Sequence, residues 1–434
     1  MQQHAHFIDI NQLCVGLYIH LDLGWMDHPF TLSNFKVQND TQIDKIKKIG
    51  LKKLRYDPNR SDCTPLSLTP LSLTPIKSDI NAELAKHTHQ VPAKKFEHTL
   101  PEAKQERLKQ LQRAINYNEK KFVETSNIVK DINRHILTSP KECVQQAKTI
   151  VTDMVTTALM EGDIAIHALN GHQSSDLHYQ HSLNVTVLAL MLAKSIDISE
   201  QETHLLGMSA LLHDIGKAEI HEHILIKKDT LAGSELKQYQ EHSTTGARMA
   251  TDAGLDTRIA KILLHHHEYA DGSGFPLGLK SNEIDLLAKI IAISNTYDNL
   301  CNPNNPLHAK TPYETLGVMY SQLRARFDED LLKRFIKSLG IYPPGSIVKL
   351  SNSQYATVVS SNPNYPLRPY IKVHKPDDDP FSPTILDLRE EATISITNCL
   401  RPSQLPADVL SFISPRKNVS YFISPDTVPE AITA

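Results

Sequence analysis

The sequence predicts a mainly α protein, with a helical core between a small α+β unit and a short β appendix. Helical composition begins near Lys104 and continues with few breaks to about Leu339. On both sides of this stretch, short runs rich in β-branched and aromatic residues alternate with turn residues, which is typical of strands. The chain has 434 residues, enough for several domains.

Residues 1–62 are predicted to form an accessory α+β domain. Cys14–Ile19 and Lys52–Tyr56 have strand composition, and Thr41–Lys48 has that of a short helix with Asp40 as its cap. After this domain the motif Pro-Leu-Ser-Leu-Thr occurs twice in tandem between residues 64 and 75. Repeated prolines exclude helix and sheet, so residues 63–103 are predicted to be a linker.

The remaining boundaries follow from the same changes in composition. They are 104–150 for connecting helices, 151–344 for the main helical domain, 345–400 for the β appendix and 401–434 for a tail. In the appendix, strands are predicted at Gly345–Leu350, Tyr355–Val359 and Tyr370–Val373. The tail carries scattered prolines without periodicity, so we expect it to be loosely ordered.

Composition narrows the class of protein. The formal net charge is −3, so no global field attracts nucleic acid or an acidic membrane, and a phosphate-bearing ligand must be held by local charge. The five cysteines are widely spread without a CxxC pair, which fits a reducing cytosol. We find neither a signal pattern nor an apolar run of about 18 residues, so a cytoplasmic protein is expected. The 22 histidines are the outlier.

The first of several separated histidine motifs surrounds His181. A helix to about Lys194 is predicted, with Ser175 or Asp176 as its cap. On that helix His181 shares an apolar face with residues such as Val185 and Leu188. A single histidine there would more often be an ordinary core residue. The neighbouring motifs favour a metal ligand instead.

The second motif is His213-Asp214, at the end of a helix that Gly216 is predicted to stop. A neutral imidazole offers one nitrogen, and a carboxylate offers two oxygens that can bridge two cations. Lys217 follows three residues after the aspartate. By itself it would be a solvated surface lysine, but beside a metal it is better explained as a clamp on a substrate phosphate.

The third and fourth motifs are His242, near the start of a helix, and the run His265–Glu268. For His265 we favour a surface position, whereas the loop that follows favours metal ligation by His266 and His267. That loop, Asp271–Pro276, contains two glycines and a proline, which shape a tight turn whose backbone can approach a ligand closely.

These motifs resemble the HD-GYP family, a branch of the HD phosphohydrolases that hydrolyses cyclic di-GMP. The resemblance implies a helical core around a two- or three-metal centre, usually of iron or manganese. Its metal ligands fall at His181, His213, Asp214, His242, His266 and His267, and its phosphate-binding lysine at Lys217. The resemblance extends to an N-terminal domain, through Val15–Tyr18, Trp25 and His28–Phe30, and to the start of the β appendix at Gly340–Ser346. It covers most of residues 6–375 except the linker.

Four positions depart from the family pattern. The tyrosine of Gly-Tyr-Pro is Phe275, the last ligating aspartate aligns with Asn295, and a substrate-binding arginine aligns with Asn304. Leu177 stands where three-metal members have a ligating glutamate, so a two-metal site is expected. The resemblance then implies catalytic roles for Asp214 and Lys217, with Asn295 as a weak metal ligand. The implied substrate-binding residues are Lys217, Asp271, Gly272, Gly274, Phe275, Pro276 and Asn304.

Three functions remain open. The first is a metal-dependent phosphodiesterase that converts cyclic di-GMP to linear pGpG, to GMP or to both. The second, favoured by Asn295 and Asn304, is a catalytically impaired receptor for cyclic dinucleotides or an interaction scaffold. The third is a hydrolase acting on another nucleotide, which the loop Asp271–Pro276 disfavours. Expected partners are GGDEF-type or other signalling proteins and a second copy of the chain, but no nucleic acid.

Overall fold

The structure is a computed structural model that divides into two compact units, residues 1–106 and 107–434. The residues it describes are 6–21, 30, 34–49, 51, 53–63, 102–160, 164–168, 177–362, 365–374, 385–391, 393–407, 409–410 and 419–425. Trp25, most of the predicted linker, and the predicted caps Ser175 and Asp176 lie outside them. Within the described ranges, no helix is both long and apolar enough to span a membrane.

In its described residues the N-terminal unit is a four-stranded antiparallel sheet with one helix, which confirms the predicted α+β character and adds two strands that were not predicted. Its strands are β1 His6–Asp9, β2 Tyr18–His20, β3 Asn34–Lys36 and β4 Lys53–Tyr56, and its helix is α1 Asp40–Lys48. In the sheet the strands lie in the order β1-β4-β2-β3. Two expectations were wrong. Strand β2 starts at Tyr18 and not at Cys14, because Gly16 adopts a φ of 98° in a turn. The cap of α1 is Asn39, whose side chain accepts from the amide of Gln42; Asp40 is already helical.

The second unit is mainly helical. Its helices are α2 Glu102–His135, α3 Pro140–Leu159, α4 Leu177–Ile196, α5 Glu200–Leu212, α6 Glu222–Leu225, α7 Gly233–Gln240, α8 His242–Asp252, α9 Thr257–His265, α10 Leu286–Cys301, α11 Pro312–Ser321 and α12 Glu329–Leu339. Helix α4 is central and packs on α5, α10 and α12, with Leu188, Leu190 and Leu192 fully buried. A helix that is apolar on nearly all sides in this way belongs in the middle of a core.

A seven-stranded antiparallel sheet completes this unit. Its strands are β5 Ile164–Ala168, β6 Ile347–Leu350, β7 Tyr355–Ser360, β8 Tyr370–Val373, β9 Ile385–Asp387, β10 Ile396–Leu400 and β11 Tyr421–Pro425. The three predicted strands of the appendix are confirmed as β6, β7 and β8, with small shifts at their ends.

Strands β5 and β11 correct two expectations. Strand β5 interrupts the stretch predicted to be helical, and β11 lies in the tail predicted to be loose. The two pair along their whole length, from Tyr421 opposite Ala168 to Pro425 opposite Ile164. Among the described residues, β11 pairs with β5 and β5 also pairs with β7, so both strands obtain their backbone hydrogen bonds from strands far away in sequence.

Candidate metal centre

The predicted ligands lie at the ends of helices that converge on one buried point. His181 is in the first turns of α4, and His242 is the first residue of α8. His213 and His266 directly follow the last residues of α5 and α9. Where a helix ends, the chain turns, so the side chains of adjacent residues need not point in different directions as they do within a helix. Side chains at the ends of different helices can therefore meet at one point.

Asp214 stands between two groups of possible ligands. Its Oδ2 lies 3.6 Å from Nε2 of His181 and 3.4 Å from Nε2 of His213. Its Oδ1 lies 3.5 Å from Nε2 of His242 and 4.0 Å from Nε2 of His266, and His267 belongs to this second group. Each carboxylate oxygen thus faces a different group, which is the arrangement expected of a residue that bridges two cations.

Hydrogen bonds at Nδ1 orient the imidazoles. Nδ1 of His213, His242 and His266 donates to the backbone carbonyl three residues earlier, at 2.8, 2.5 and 2.6 Å respectively. Nδ1 of His181 instead donates to Oδ2 of Asp298, at 2.6 Å. Because Nδ1 carries the proton in each ring, the lone pair of Nε2 is directed at the centre.

Several of these inward atoms have no hydrogen-bond partner among the described residues. They are Nε2 of His181, His213 and His267, and Oδ1 of Asp214, all buried. Buried polar atoms in folded proteins are nearly always paired, so such a cluster needs an explanation. Imidazole nitrogen and carboxylate oxygen suit iron, manganese and zinc alike. The residues therefore fit a metal centre, although this donor set does not select one metal.

The protonation states also suit metal binding. Burial lowers the pKa of His213 to about 4, and that of His242 and His266 to about 3, despite the opposing charge of Asp214. The rings are therefore neutral at neutral pH, and no proton has to leave before they can ligate.

Lys217 and Asp214 form a close ion pair. Nζ lies 2.5 Å from Oδ2, and the ammonium group also lies 5.3 Å from the ring centre of Tyr239. Burial disfavours both charges. Electrostatic interaction with His213 and Lys217 nevertheless holds the pKa of Asp214 well below its usual value, and Asp214 raises the pKa of Lys217. The predicted phosphate clamp is thus a charged group directly beside the cluster.

Glu268 holds the residues that directly follow the glycine-rich loop Asp271–Pro276. Its carboxylate is buried and accepts from the amides of Leu277, Gly278 and Leu279 at 2.6, 3.2 and 2.8 Å. The loop passes so close that a Cβ at Gly274 would lie 2.5 Å from the backbone of Glu268. This approach places the ring of Phe275 on that of His267, with centroids 4.4 Å apart.

The other residues of the loop shape its outer side. Gly272 has a φ of 80°, and the bond between Phe275 and Pro276 is cis. The exposed Asp271 accepts from the amide and hydroxyl of Ser273 at 2.9 and 2.6 Å. The tight turn expected from the sequence is therefore present, with its charged residue turned back onto the loop itself.

Two expectations about this region were wrong. Gly216 does not stop a helix but lies within a 3-10 helix, Ile215–Glu219. A Cβ there would lie 2.1 Å from the carbonyl oxygen of His242, so glycine permits the close contact between this segment and α8. His265 is not at the surface: it is 5% exposed, although it belongs to neither ligand group.

The two asparagines that depart from the family pattern occupy different surroundings. Asn295 is 3% exposed on α10, and its Oδ1 accepts from Asn299 at 2.6 Å. Asn304 is exposed in the loop after α10 and donates to the carbonyl of Leu225 at 3.1 Å.

Sequence reasoning missed two residues. Asp298 accepts a hydrogen bond from His181. The ring of Tyr239 faces Lys217, and the backbone carbonyl of Tyr239 accepts from His242. A signal for Asp298 was present, because it lies one helical turn after Asn295 and so on the same face of α10. Tyr239 had no comparable signal.

Family models match three regions of the chain. Residues 6–169 match a domain of unknown function, residues 163–331 match the HD domain, and residues 347–407 match a KOW domain associated with the HD domain. The HD match spans every predicted metal ligand. The first match reaches well beyond the accessory domain predicted at 1–62.

Three related proteins match different shares of the chain. A cyclic di-GMP phosphodiesterase of Pseudomonas aeruginosa is 24% identical, over 84% of this chain and 84% of its own length. A cyclic di-GMP phosphodiesterase of Borreliella burgdorferi is 29% identical over 46% of this chain and 53% of its own. A 3′3′-cGAMP-specific phosphodiesterase of Vibrio cholerae is 30% identical over 38% of this chain and 35% of its own.

Proposed function

We propose that this chain, whose residues 163–331 match the HD domain, is a metal-dependent phosphodiesterase of the HD-GYP type that hydrolyses cyclic di-GMP to pGpG, to GMP or to both. One observation carries the proposal: buried nitrogen and oxygen atoms, several of them without a hydrogen-bond partner in the described part of the chain, converge in two groups that share Asp214. The relative that matches along most of its length acts on cyclic di-GMP, which favours that substrate.

In this proposal each side chain of the centre has a separate task. His181, His213, His242, His266 and His267 would hold two divalent ions, iron or manganese, with Asp214 between them. When bound, such ions polarise a phosphate and lower the pKa of a bound water. Lys217 remains charged beside Asp214 and would offset the charge of the substrate phosphate. Asn295 would supply only a neutral carbonyl oxygen.

The loop around Phe275 would form one wall of the substrate site. Its glycines let the backbone lie directly against the residues that follow the histidine run, and Glu268 fixes its far end. Asp271, Gly272, Gly274 and Pro276 would shape that wall, while Asn304 would give weaker support to a phosphate than an arginine does. We also propose that residues 151–344 form the catalytic domain, because all of these metal- and substrate-binding residues lie within that range.

The test is to purify the chain without a chelating tag, measure bound metals, and follow cyclic di-GMP by chromatography. We expect linear pGpG or GMP to appear with the metal-loaded protein and to disappear after chelation. 3′3′-cGAMP should be assayed in parallel, because one relative is specific for it. If the metal-loaded protein degrades neither dinucleotide, the proposed phosphodiesterase activity is wrong.

A receptor is the second candidate, because asparagine stands here at one metal-ligand position of the family, Asn295, and at one substrate-binding position, Asn304. Equilibrium binding of cyclic di-GMP distinguishes the two functions. Micromolar binding without turnover by the metal-loaded protein would establish the receptor, and turnover at any measurable rate would exclude a purely passive role.

A further inference from the structure

The C-terminal segment Val419–Pro425 is linked through two asparagines to the residue that supports one metal ligand. That residue is Asp298, which is fully buried in α10. Its Oδ2 accepts from Nδ1 of His181 at 2.6 Å. Its Oδ1 accepts from the side-chain amides of Asn184 and Asn302, at 2.9 and 2.8 Å. A buried carboxylate needs such donors to stay in place, so the two amides determine where Asp298 presents its other oxygen.

The same two amides bind the backbone of the C-terminal segment. Oδ1 of Asn302 accepts from the amide of Val419 at 2.8 Å, and Oδ1 of Asn184 accepts from the amide of Tyr421 at 3.1 Å. Both side-chain NH₂ groups also donate to the carbonyl of Val419, at 2.9 Å. These bonds fix which end of each amide is oxygen, and therefore ensure that the NH₂ ends face Asp298.

The segment is held in place by packing as well. Tyr421 is fully buried, with its hydroxyl 3.3 Å from that of Tyr297 on α10. Phe422 stacks on His167 of β5, with ring centroids 4.6 Å apart, and joins a buried cluster that includes Ile115 and Ile385. Together with the pairing of β11 and β5, these contacts make the segment a fixed part of the helical unit.

His181 differs in this respect from the other oriented histidines. His213, His242 and His266 each donate to a carbonyl three residues earlier in the chain, a support that depends only on local backbone. His181 depends on a side chain 117 residues away, which in turn depends on the end of the chain. Only the group of His181, His213 and Asp214 should therefore respond to changes in the C-terminal segment.

We propose that Val419–Pro425 is a positioning element of the metal centre, acting through Asn184 and Asn302 on Asp298 and thereby on His181. The three side chains are positioning residues, since none of them belongs to either ligand group. The proposal rests on the proposed function only in requiring that the two groups bind metal. Its specific consequence is that the C-terminal segment controls the affinity of one metal site and leaves the other unchanged.

The direct test is titration of the metal-free full-length protein with Mn²⁺, followed by electron paramagnetic resonance. We expect the wild type to bind two ions, and Asn302→Ala or Asn184→Ala to weaken one of them roughly 10- to 100-fold, as is usual when the support of a ligand is lost. The matched control is Asn133→Ala, which removes one amide-to-carbonyl bond, to Val129 on α2, and should bind both ions as the wild type does.

A second pair of variants tests the C-terminal segment itself. Phe422→Ala removes the stacking on His167, an interaction that involves neither Asp298 nor the two asparagines, and should weaken the same single site. Ile385→Ala is its control, because this residue lies in the same cluster and is also 6% exposed, but belongs to β9. Circular dichroism of each metal-free variant shows whether the helical unit is folded.

Each result has a distinct meaning. If the wild type binds two ions and the asparagine variants bind both equally well, the positioning role is wrong while the metal centre stands. If the asparagine variants weaken one site but Phe422→Ala behaves like Ile385→Ala, the control by the C-terminal segment is wrong. If the wild type binds no Mn²⁺ or other divalent ion, the metal centre itself fails, and the proposed function fails with it.

Discussion

At the scale of single residues, Asp214 differs from the histidines around it, because among the described residues it alone belongs to both ligand groups. Asp214→Ala should therefore remove both ions, whereas His213→Ala should remove about one and leave the group of His242, His266 and His267 occupied. Elemental analysis of protein purified from metal-replete cells under anaerobic conditions measures this. Retention of a full equivalent by Asp214→Ala would contradict a shared ligand.

A substitution of Asn295 should increase metal binding, whereas the substitutions of Asp214 and His213 should reduce it. Asn295→Asp adds a negative charge at a buried position, which should destabilise the metal-free protein, since an unpaired buried charge is unfavourable. With metal present the added carboxylate should raise both metal affinity and the rate of hydrolysis. Thermal unfolding with and without Mn²⁺ measures the two opposite effects. If the variant is destabilised to the same extent in both conditions, Asn295 lies outside the coordination sphere.

At the scale of elements, the glycine-rich loop depends on Glu268 for its position. Glu268→Gln turns a charged acceptor of three amide hydrogen bonds into a neutral group that accepts at one atom only. Charge-assisted bonds contribute about 1.5–3 kcal/mol, so we expect a loosened loop. Because Glu268 itself is in neither ligand group, the variant should keep its metals but show a higher KM.

The control for this loop is Glu283→Gln, whose carboxylate accepts from the amide of Lys280 at an exposed position nearby. It should leave KM close to the wild-type value. Loss of metal from Glu268→Gln would instead show that the loop supports the ligands and not the substrate.

At the scale of the whole molecule, the buried neutral histidines make stability depend on pH. The pKa of His213 falls from 6.5 in the unfolded chain to about 4 in the folded metal-free protein, because it is buried. Between these values the unfolded state binds more protons, so the free energy of unfolding decreases as the pH falls. Each such histidine contributes about 1.4 kcal/mol per pH unit in this window.

Urea unfolding of the metal-free protein, followed by far-ultraviolet circular dichroism, tests this dependence. We expect stability to be nearly constant above about pH 6.5 and to fall below it, and His213→Gln to show a shallower decline. A decline equally steep in the variant would mean that His213 is protonated in the folded protein.

The sequence by itself determined what depends on local pattern. The main helices and the strands β6, β7 and β8 could be predicted from it, because helical and strand periodicity is contained in short segments. The set His181, His213, Asp214, His242, His266 and His267 was expected from the resemblance of these motifs to the HD-GYP family, and the structure brings these residues together in two groups.

Only the tertiary structure decided what depends on distant partners. It placed β11 beside β5, put His265 in the interior, and made Gly216 a point of close contact rather than a helix stop. It also selected Asp298 as the support of His181. A strand gains its hydrogen bonds, and a buried polar side chain its partners, from whatever chain lies opposite in space, and in this protein the partner can be more than 100 residues away.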